Sequence, residues 1–254
     1  MRLIALAHSH YCEKARWALD LANASYVEVR DLPGLHRRRT RPLGGRTTPV
    51  LVVAGRALLE SADIVRWAGE RGASLLPTDP EMRSVALETE RWLDREFGPH
   101  TRRWAYFRLL PCRGLLNRVV ATGVPRLQRA AAPLVMTVVR PLIRSGFRIT
   151  PESAARSLQR VDEVFAAVAE RLEDRGGWLA GRSFSSADLA FAALASPVLL
   201  PERFGGALPR LDEVPASMQT EILRLRATPA GRHALACYER FRPAASGALA
   251  TPSR

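Results

Sequence analysis

The spacing of apolar and polar residues changes several times along the first seventy positions. The run "LIALAH" is apolar enough for a buried strand. From about His10 to Ala22 the period becomes helical, with Ala15, Ala18, Leu19 and Ala22 on one face. Arg16 and Asp20 stand four apart and can pair on that helix, and Lys14 and Arg16 are assigned to its surface. "SYVEVRD" then alternates like a second strand, so the segment reads as a parallel βαβ unit. "LPGLHRRRTRPLGG" is mostly loop with room for a short helix. "PVLVVAG" and "RALLE" form a hairpin around Ala54-Gly55. "SADIVRWAGERG" is a helix with Ser61 as N-cap and Gly72 just past its end.

Residues 1–73 thus read as an α/β layer with a mixed four-stranded sheet. A turn-rich linker, 74–82, follows. Residues 83–242 show only helical patterns: Met82 to Phe97, Leu115 to Leu127, Ser153 to Arg175, Ser186 to Leu194 and Glu213 to Ala227. The expected fold class is therefore an α/β domain followed by an all-α domain. Pro125, Pro133 and Pro141 are expected to break the middle of that domain into short or kinked pieces. Residues 243–254 are small and polar and read as a disordered tail.

Composition adds direction to this outline. The chain has 254 residues, 47% of them hydrophobic, which suits a globular protein. The formal net charge is +13, and Lys14 is the only lysine. Such a surplus favours anionic partners in general, although charge runs are usually solvated surface. Cys12, Cys112 and Cys237 have no metal-ligand or disulfide spacing, which suits a reducing, cytoplasmic compartment. "MRLIALA" is too short for a secretory h-region, and "AAAPLVMTVV" is about half the length of a bilayer span. A soluble protein with no metal is expected. Basic and apolar residues alternate in "VVRPLIRSGFR", but neither a membrane nor a nucleic acid is among the expected partners.

Several short motifs carry candidate chemistry. "FSSAD" places Ser185 at an N-cap and Asp188 at N3, a structural capping box, with Phe184 and Leu189 as a hydrophobic staple. In "LLES", Ser61 caps a helix whose free N–H groups attract a carboxylate, while Glu60 beside it can accept from an ammonium. The pair suits a zwitterionic amino-acid head. Pro49 in "TTPV" opens a strand, where a missing N–H is tolerated. "HSHYCEKARWALD" sets Ser9 one residue before a helix and Cys12 in its first turn. Ser9 fits an N-cap. Cys12 fits either a thiol with a lowered pKa or an inert packing residue. His10 is read as exposed.

"SHYCEKARWAL", "TTPVL…LLESADIV" and "GRSFSSADLAFAAL", in that order, resemble the glutathione transferase superfamily, in its bacterial serine- and cysteine-type forms. The first also resembles the C-P-Y-C loop of glutaredoxins. The resemblance covers nearly the whole chain and implies a thioredoxin-like domain followed by a helical one, in a homodimer. It implies glutathione, or a related low-molecular-weight thiol, as co-substrate, and a hydrophobic electrophile as second substrate.

The same resemblance distributes roles. Ser9 aligns with the catalytic serine that favours the thiolate, and Cys12 with the second cysteine of the glutaredoxin loop. Thr48–Pro49 would be cis, with Thr48 offering its backbone to the thiol peptide. Glu60 and Ser61 would hold the γ-glutamyl end. Arg37 or Arg41, within the run His36 to Arg41, would hold the glycyl carboxylate. Tyr11, Trp104, Tyr106 and Phe107 would line the electrophile pocket, with Arg102 and Arg103 meeting an anionic group. The implied function is thiol conjugation. The alternatives are a thiol–disulfide or deglutathionylating enzyme working through Cys12, and a non-catalytic binding or regulatory relative.

Overall fold

The computed structural model describes residues 1–243 and 247–249. Strand β1 (Arg2–Ala5), helix α1 (His10–Leu21) and strand β2 (Val27–Arg30) form the parallel βαβ unit. A short helix α2 (Arg37–Thr40) and a single 3-10 turn then lead to β3 (Val50–Val53) and β4 (Arg56–Leu58). These last two form the antiparallel hairpin, and β3 pairs antiparallel with β1. The hairpin turns at Ala54 and Gly55, both at positive φ, as a two-residue turn matched to strand twist requires. Helix α3 (Ser61–Gly69) closes the layer against α1.

The sheet has five strands rather than four, in the order β4-β3-β1-β2-β5. The fifth, β5 (Ala248–Leu249), lies parallel to β2 and falls within the segment read as a disordered tail. Residues 244–246 and 250–254 of that tail lie outside the described residues. A two-residue strand leaves little trace in hydrophobic period, which explains why the pattern missed it.

Among the described residues eight further α-helices follow: α4 (Pro80–Glu96), α5 (Gly98–Leu109), α6 (Arg113–Val120), α7 (Arg126–Gly146), α8 (Pro151–Asp174), α9 (Ser186–Leu199), α10 (Ala216–Arg226) and α11 (Pro229–Phe241). Helix α9 is buried along its whole length and forms the axis of this domain. Its capping box is present. The Ser185 backbone N–H donates to Asp188 at 3.0 Å, and the same carboxylate accepts from Leu179 N–H at 3.0 Å. Helix α7 corrects the expectation of broken pieces. It runs unbroken for 21 residues with Pro133 and Pro141 inside it, both on its exposed side. There the N–H groups that proline lacks would have faced solvent-side carbonyls, and the packed side keeps its ladder.

The larger correction concerns α1. It lies between the sheet and the helical domain, packing against both α3 and α9. Lys14 and Arg16 are therefore in the interior, not on the surface, and His10 is buried too. Each buried charge has partners distant in sequence. Lys14 Nζ contacts Glu90 at 2.9 Å and Asp94 at 2.6 Å on α4. Arg16 pairs with Glu28 at 2.7 Å, and Arg30 pairs with the same carboxylate at 2.8 Å. Burial works to raise the Glu28 carboxyl, but these two guanidinium groups outweigh it and hold it down to about 2. Asp20 pairs with Arg242 at 2.7 Å rather than with Arg16.

Candidate active site

The turn from β1 into α1 opens onto a cavity of about 230 Å³ between the two domains. One side is polar and comes from the N-terminal layer: His8, Ser9, His36, Arg37, Arg46, Thr47 and Thr48. The other comes from the helices and is mostly apolar, with Ala105, Leu109, Leu116, Val119, Phe147 and Leu200. Arg102 and Tyr106 stand on that second side.

Ser9 is the N-cap of α1. Its Oγ accepts from the Cys12 N–H at 3.3 Å, leaving its own hydrogen free to donate into the cavity. The open N–H groups of the first turn give this end partial positive charge. Thr48 precedes Pro49 through a cis peptide bond. Among the described residues, no backbone group pairs with the Thr48 N–H or C=O. Both remain available to an extended ligand.

Three histidines line the cavity, and burial keeps them neutral. His8 is held down to about 4 by burial and then by the charges of Arg16 and His36. His10 is held down to about 3, by burial and then by Arg102, although its Nε2 bonds the Gly98 carbonyl at 3.0 Å. Burial also lowers His36. His8 Nε2 meets the Tyr106 hydroxyl at 2.8 Å, while its Nδ1 is buried with no partner among the described residues. Whichever way that proton points, the pair keeps one polar group unpaired at the cavity. Burial pushes Tyr106 up to about 12, so it stays a phenol.

The folded values of His8 and His10 lie below the ordinary histidine value of about 6.5. Their stabilising contribution is therefore complete above about pH 6.5 and is lost as pH falls toward about 4 and then about 3. Imidazole NMR resonances of both residues are expected to stay fixed from about pH 8 to about pH 5. A midpoint between about 6 and 7 for either would contradict a dry, neutral pair.

The charged lining residues are Arg37, Arg46 and Arg102, with no carboxylate among the described residues there. Arg102 lies over the Phe147 ring at 4.0 Å, and its Nε is buried without a hydrogen-bond partner. Burial lowers its pKa. A guanidinium so placed lacks an anion.

The cavity brings together Ser9, Tyr11, Thr48, Arg37, Arg102 and Tyr106 of the residues that the sequence suggests. Tyr11 donates to the Asp94 carbonyl at 2.7 Å and lies against Gly98, where any side chain would collide with it. Others fall elsewhere. Cys12 is completely buried in the core behind the loop, where its sulfur accepts from Leu6 N–H at 3.4 Å. Arg41 is exposed outside the cavity, and Arg46 lines it instead. Trp104 is core, Phe107 lies off the cavity under Arg108, and Arg103 binds the Phe147 carbonyl and Ser157. The reason is helical phase. Positions 102, 105, 106 and 109 of α5 share the face toward the cavity, and 103, 104 and 107 do not. Pro49 is buried beside Thr48. Glu60 and Ser61 lie outside the enclosed cavity. Glu60 is the N-cap of α3 without a side-chain cap bond, and Ser61 is the first helical residue, reversing the expected assignment. The charge of Glu60 still reaches Tyr11.

Residues 3–74 match the family model of the glutathione S-transferase N-terminal domain, and residues 131–218 match that of the glutathione S-transferase C-terminal domain. The chain belongs to the glutathione transferase superfamily. Solved transferase structures share its fold. It is similar to a glutathione S-transferase from Xanthobacter autotrophicus, with 20% identity, a TM-score of 0.56, and 90% of this chain and 94% of that one covered. It is also similar to a beta-etherase from Sphingobium, with 19% identity, a TM-score of 0.56, and 92% and 98% covered. A third is the theta-class glutathione S-transferase from Xanthomonas axonopodis pv. citri with glutathione bound, with 19% identity, a TM-score of 0.55, and 96% and 98% covered. No curated protein matches the chain. The stretch between the two matched transferase domains carries α4, α5 and α6. Arg102, Ala105, Tyr106, Leu109, Leu116 and Val119 of the helical wall thus lie between the two matched segments, whereas Phe147 and Leu200 lie within the second.

Proposed function

We propose that the chain transfers glutathione, or a related low-molecular-weight thiol, to an apolar electrophile that carries an anionic group. The observation that carries this reading is Ser9: a hydroxyl free to donate, at a helix N-terminus, in a cavity that is polar on one side and apolar on the other. The thiol loses its proton to solvent, and the Ser9 O–H stabilises the sulfur anion. The thiolate then attacks the electrophilic carbon, forming the C–S bond while the leaving group departs with its electron pair. Thr48 would pair with the cysteinyl backbone of the ligand as an added strand. Arg37 and Arg46 would take its carboxylate. Partial burial, Asp63 and Asp94 raise the Glu60 carboxyl, and a ligand ammonium would relieve that repulsion. Arg102 would meet the anionic group of the electrophile, and the His8–Tyr106 pair its polar atoms. The burial of Cys12 away from the cavity supports no redox role for it.

Titration calorimetry with glutathione tests the thiol half directly. A saturable heat is expected whose size varies with the ionisation enthalpy of the buffer, because the bound thiol releases a proton. No binding of glutathione or other small thiols at about millimolar concentration would sink the reading.

A further inference from the structure

We propose that the exposed face of α7 is a docking surface for an anionic lipid bilayer. Eight large hydrophobic side chains are notably exposed among the described residues, and four of them lie on this one helix. Leu127, Leu134, Val138 and Leu142 are 87%, 75%, 62% and 65% exposed. Their spacing of seven, four and four residues sets them in one stripe along the helix. The opposite side is firmly seated, with Ala132 and Met136 packed against Leu32, Leu116 and Val120. The stripe is therefore a fixed outer face and not a core face lacking its cover.

Charge identifies what covers it. Between Glu96 and Glu152 the sequence has ten arginines and no aspartate or glutamate. Arg126 and Arg144 are exposed on the arc of α7 next to the apolar stripe, and Arg148 is exposed just beyond the helix, while Arg129 stands on the side toward α6. Arg140 is the exception, held by the Arg113 carbonyl at 3.0 Å and Asn117 at 2.7 Å. A helix with an apolar stripe and an arginine edge fits a surface with acyl chains beneath phosphates. A nucleic acid would use the arginines and leave the stripe in water. A second copy of the chain would bring the same arginines together across a two-fold axis. No helix among the described residues is long and apolar enough to cross a membrane, so α7 would lie in the interface. Phe147, one residue beyond α7, lines the cavity. Docking would therefore hold the cavity close to the lipid. The docking itself does not depend on the proposed transfer reaction.

Co-sedimentation of the full chain with vesicles tests this, using phosphatidylcholine alone and phosphatidylcholine with about one third phosphatidylglycerol. Binding to the anionic vesicles is expected to be at least about tenfold stronger, and to weaken as salt is raised. The double variant Leu134→Asp, Leu142→Asp should lose at least about tenfold of it with an unchanged thermal melt, because both side chains are exposed in the native fold. A second variant, Arg126→Gln, Arg144→Gln, Arg148→Gln, should do the same through charge alone and decides the matter if the first fails to fold. Equal or absent binding to the two vesicle types would overturn the proposal. So would retained vesicle binding in the folded double variant, or a change from dimer to monomer in it with vesicle binding unaffected.

Discussion

Replacing Ser9 by alanine is expected to lower kcat/KM for the proposed thiol transfer by about a hundredfold while leaving the fold intact. The size follows from what is lost. A hydrogen bond to a charged acceptor is worth about 1.5–3 kcal/mol, and removing one donor from a developing anion costs a factor of about 100 to 1,000. The Ser9 hydroxyl is placed for such a bond because it lines the cavity and its oxygen accepts from the Cys12 N–H, which leaves its own hydrogen free to donate. The helix N-terminus remains in the variant, so activity falls without vanishing. The pH–rate profile should report the same loss, with the apparent pKa of the bound thiol rising toward the free-thiol value of about 8.5. Loss of the cap costs about 1 kcal/mol of stability, a change too small to empty the folded state. Ser9→Thr keeps the hydroxyl and should recover part of the rate. Cys12→Ser changes a core position and should leave kcat/KM near wild type. An unchanged rate and pH profile in Ser9→Ala would remove the serine from the mechanism, even with thiol binding intact.

What could be read from sequence was whatever local chemistry decides. The hairpin at Ala54-Gly55, the capping box of Ser185 and Asp188, and Ser9 at a helix start each depend on residues close in the chain. The interior of α1 could not be read in this way. Lys14, Arg16 and His10 look like surface residues because isolated charges and imidazoles usually are. Their burial depends on partners 12 to 88 positions away: Glu28 for Arg16, Glu90 and Asp94 for Lys14, and the Gly98 carbonyl for His10. The cavity wall is hidden for a different reason. Residue type favours Trp104 and Phe107, whereas the phase of α5 turns Arg102, Ala105, Tyr106 and Leu109 inward. That phase was present in the sequence but needed the helix bounds to be used. Arg46 against Arg41 was a matter of loop path, which no period encodes.

Replacing Arg242 by methionine should destabilise the protein by about 3–5 kcal/mol, the cost of removing one partner from a buried ion-pair network. Arg242 stands just past α11, and its guanidinium reaches α1 in the opposite domain. Its Nε donates to Glu13 at 2.8 Å and its Nη1 to Asp20 at 2.7 Å, with both carboxylates completely shielded from solvent. Glu13 also accepts from the Gly205 N–H at 2.9 Å, and a side chain at 205 would collide with Arg242. The one cation thus joins the end of the helical domain, the loop after α9 and the helix that presents Ser9. Methionine fills similar space, so the expected loss is electrostatic more than one of packing. Thermal unfolding should move down by roughly 6–20 °C for a chain of this size. Neutralising the two carboxylates separates the electrostatic loss from the packing loss. Adding Glu13→Gln and Asp20→Asn to Arg242→Met should restore part of the stability at neutral pH. A deficit below about 1 kcal/mol, the range of an exposed pair, or no recovery in the triple variant, would show that these carboxylates are not held by Arg242.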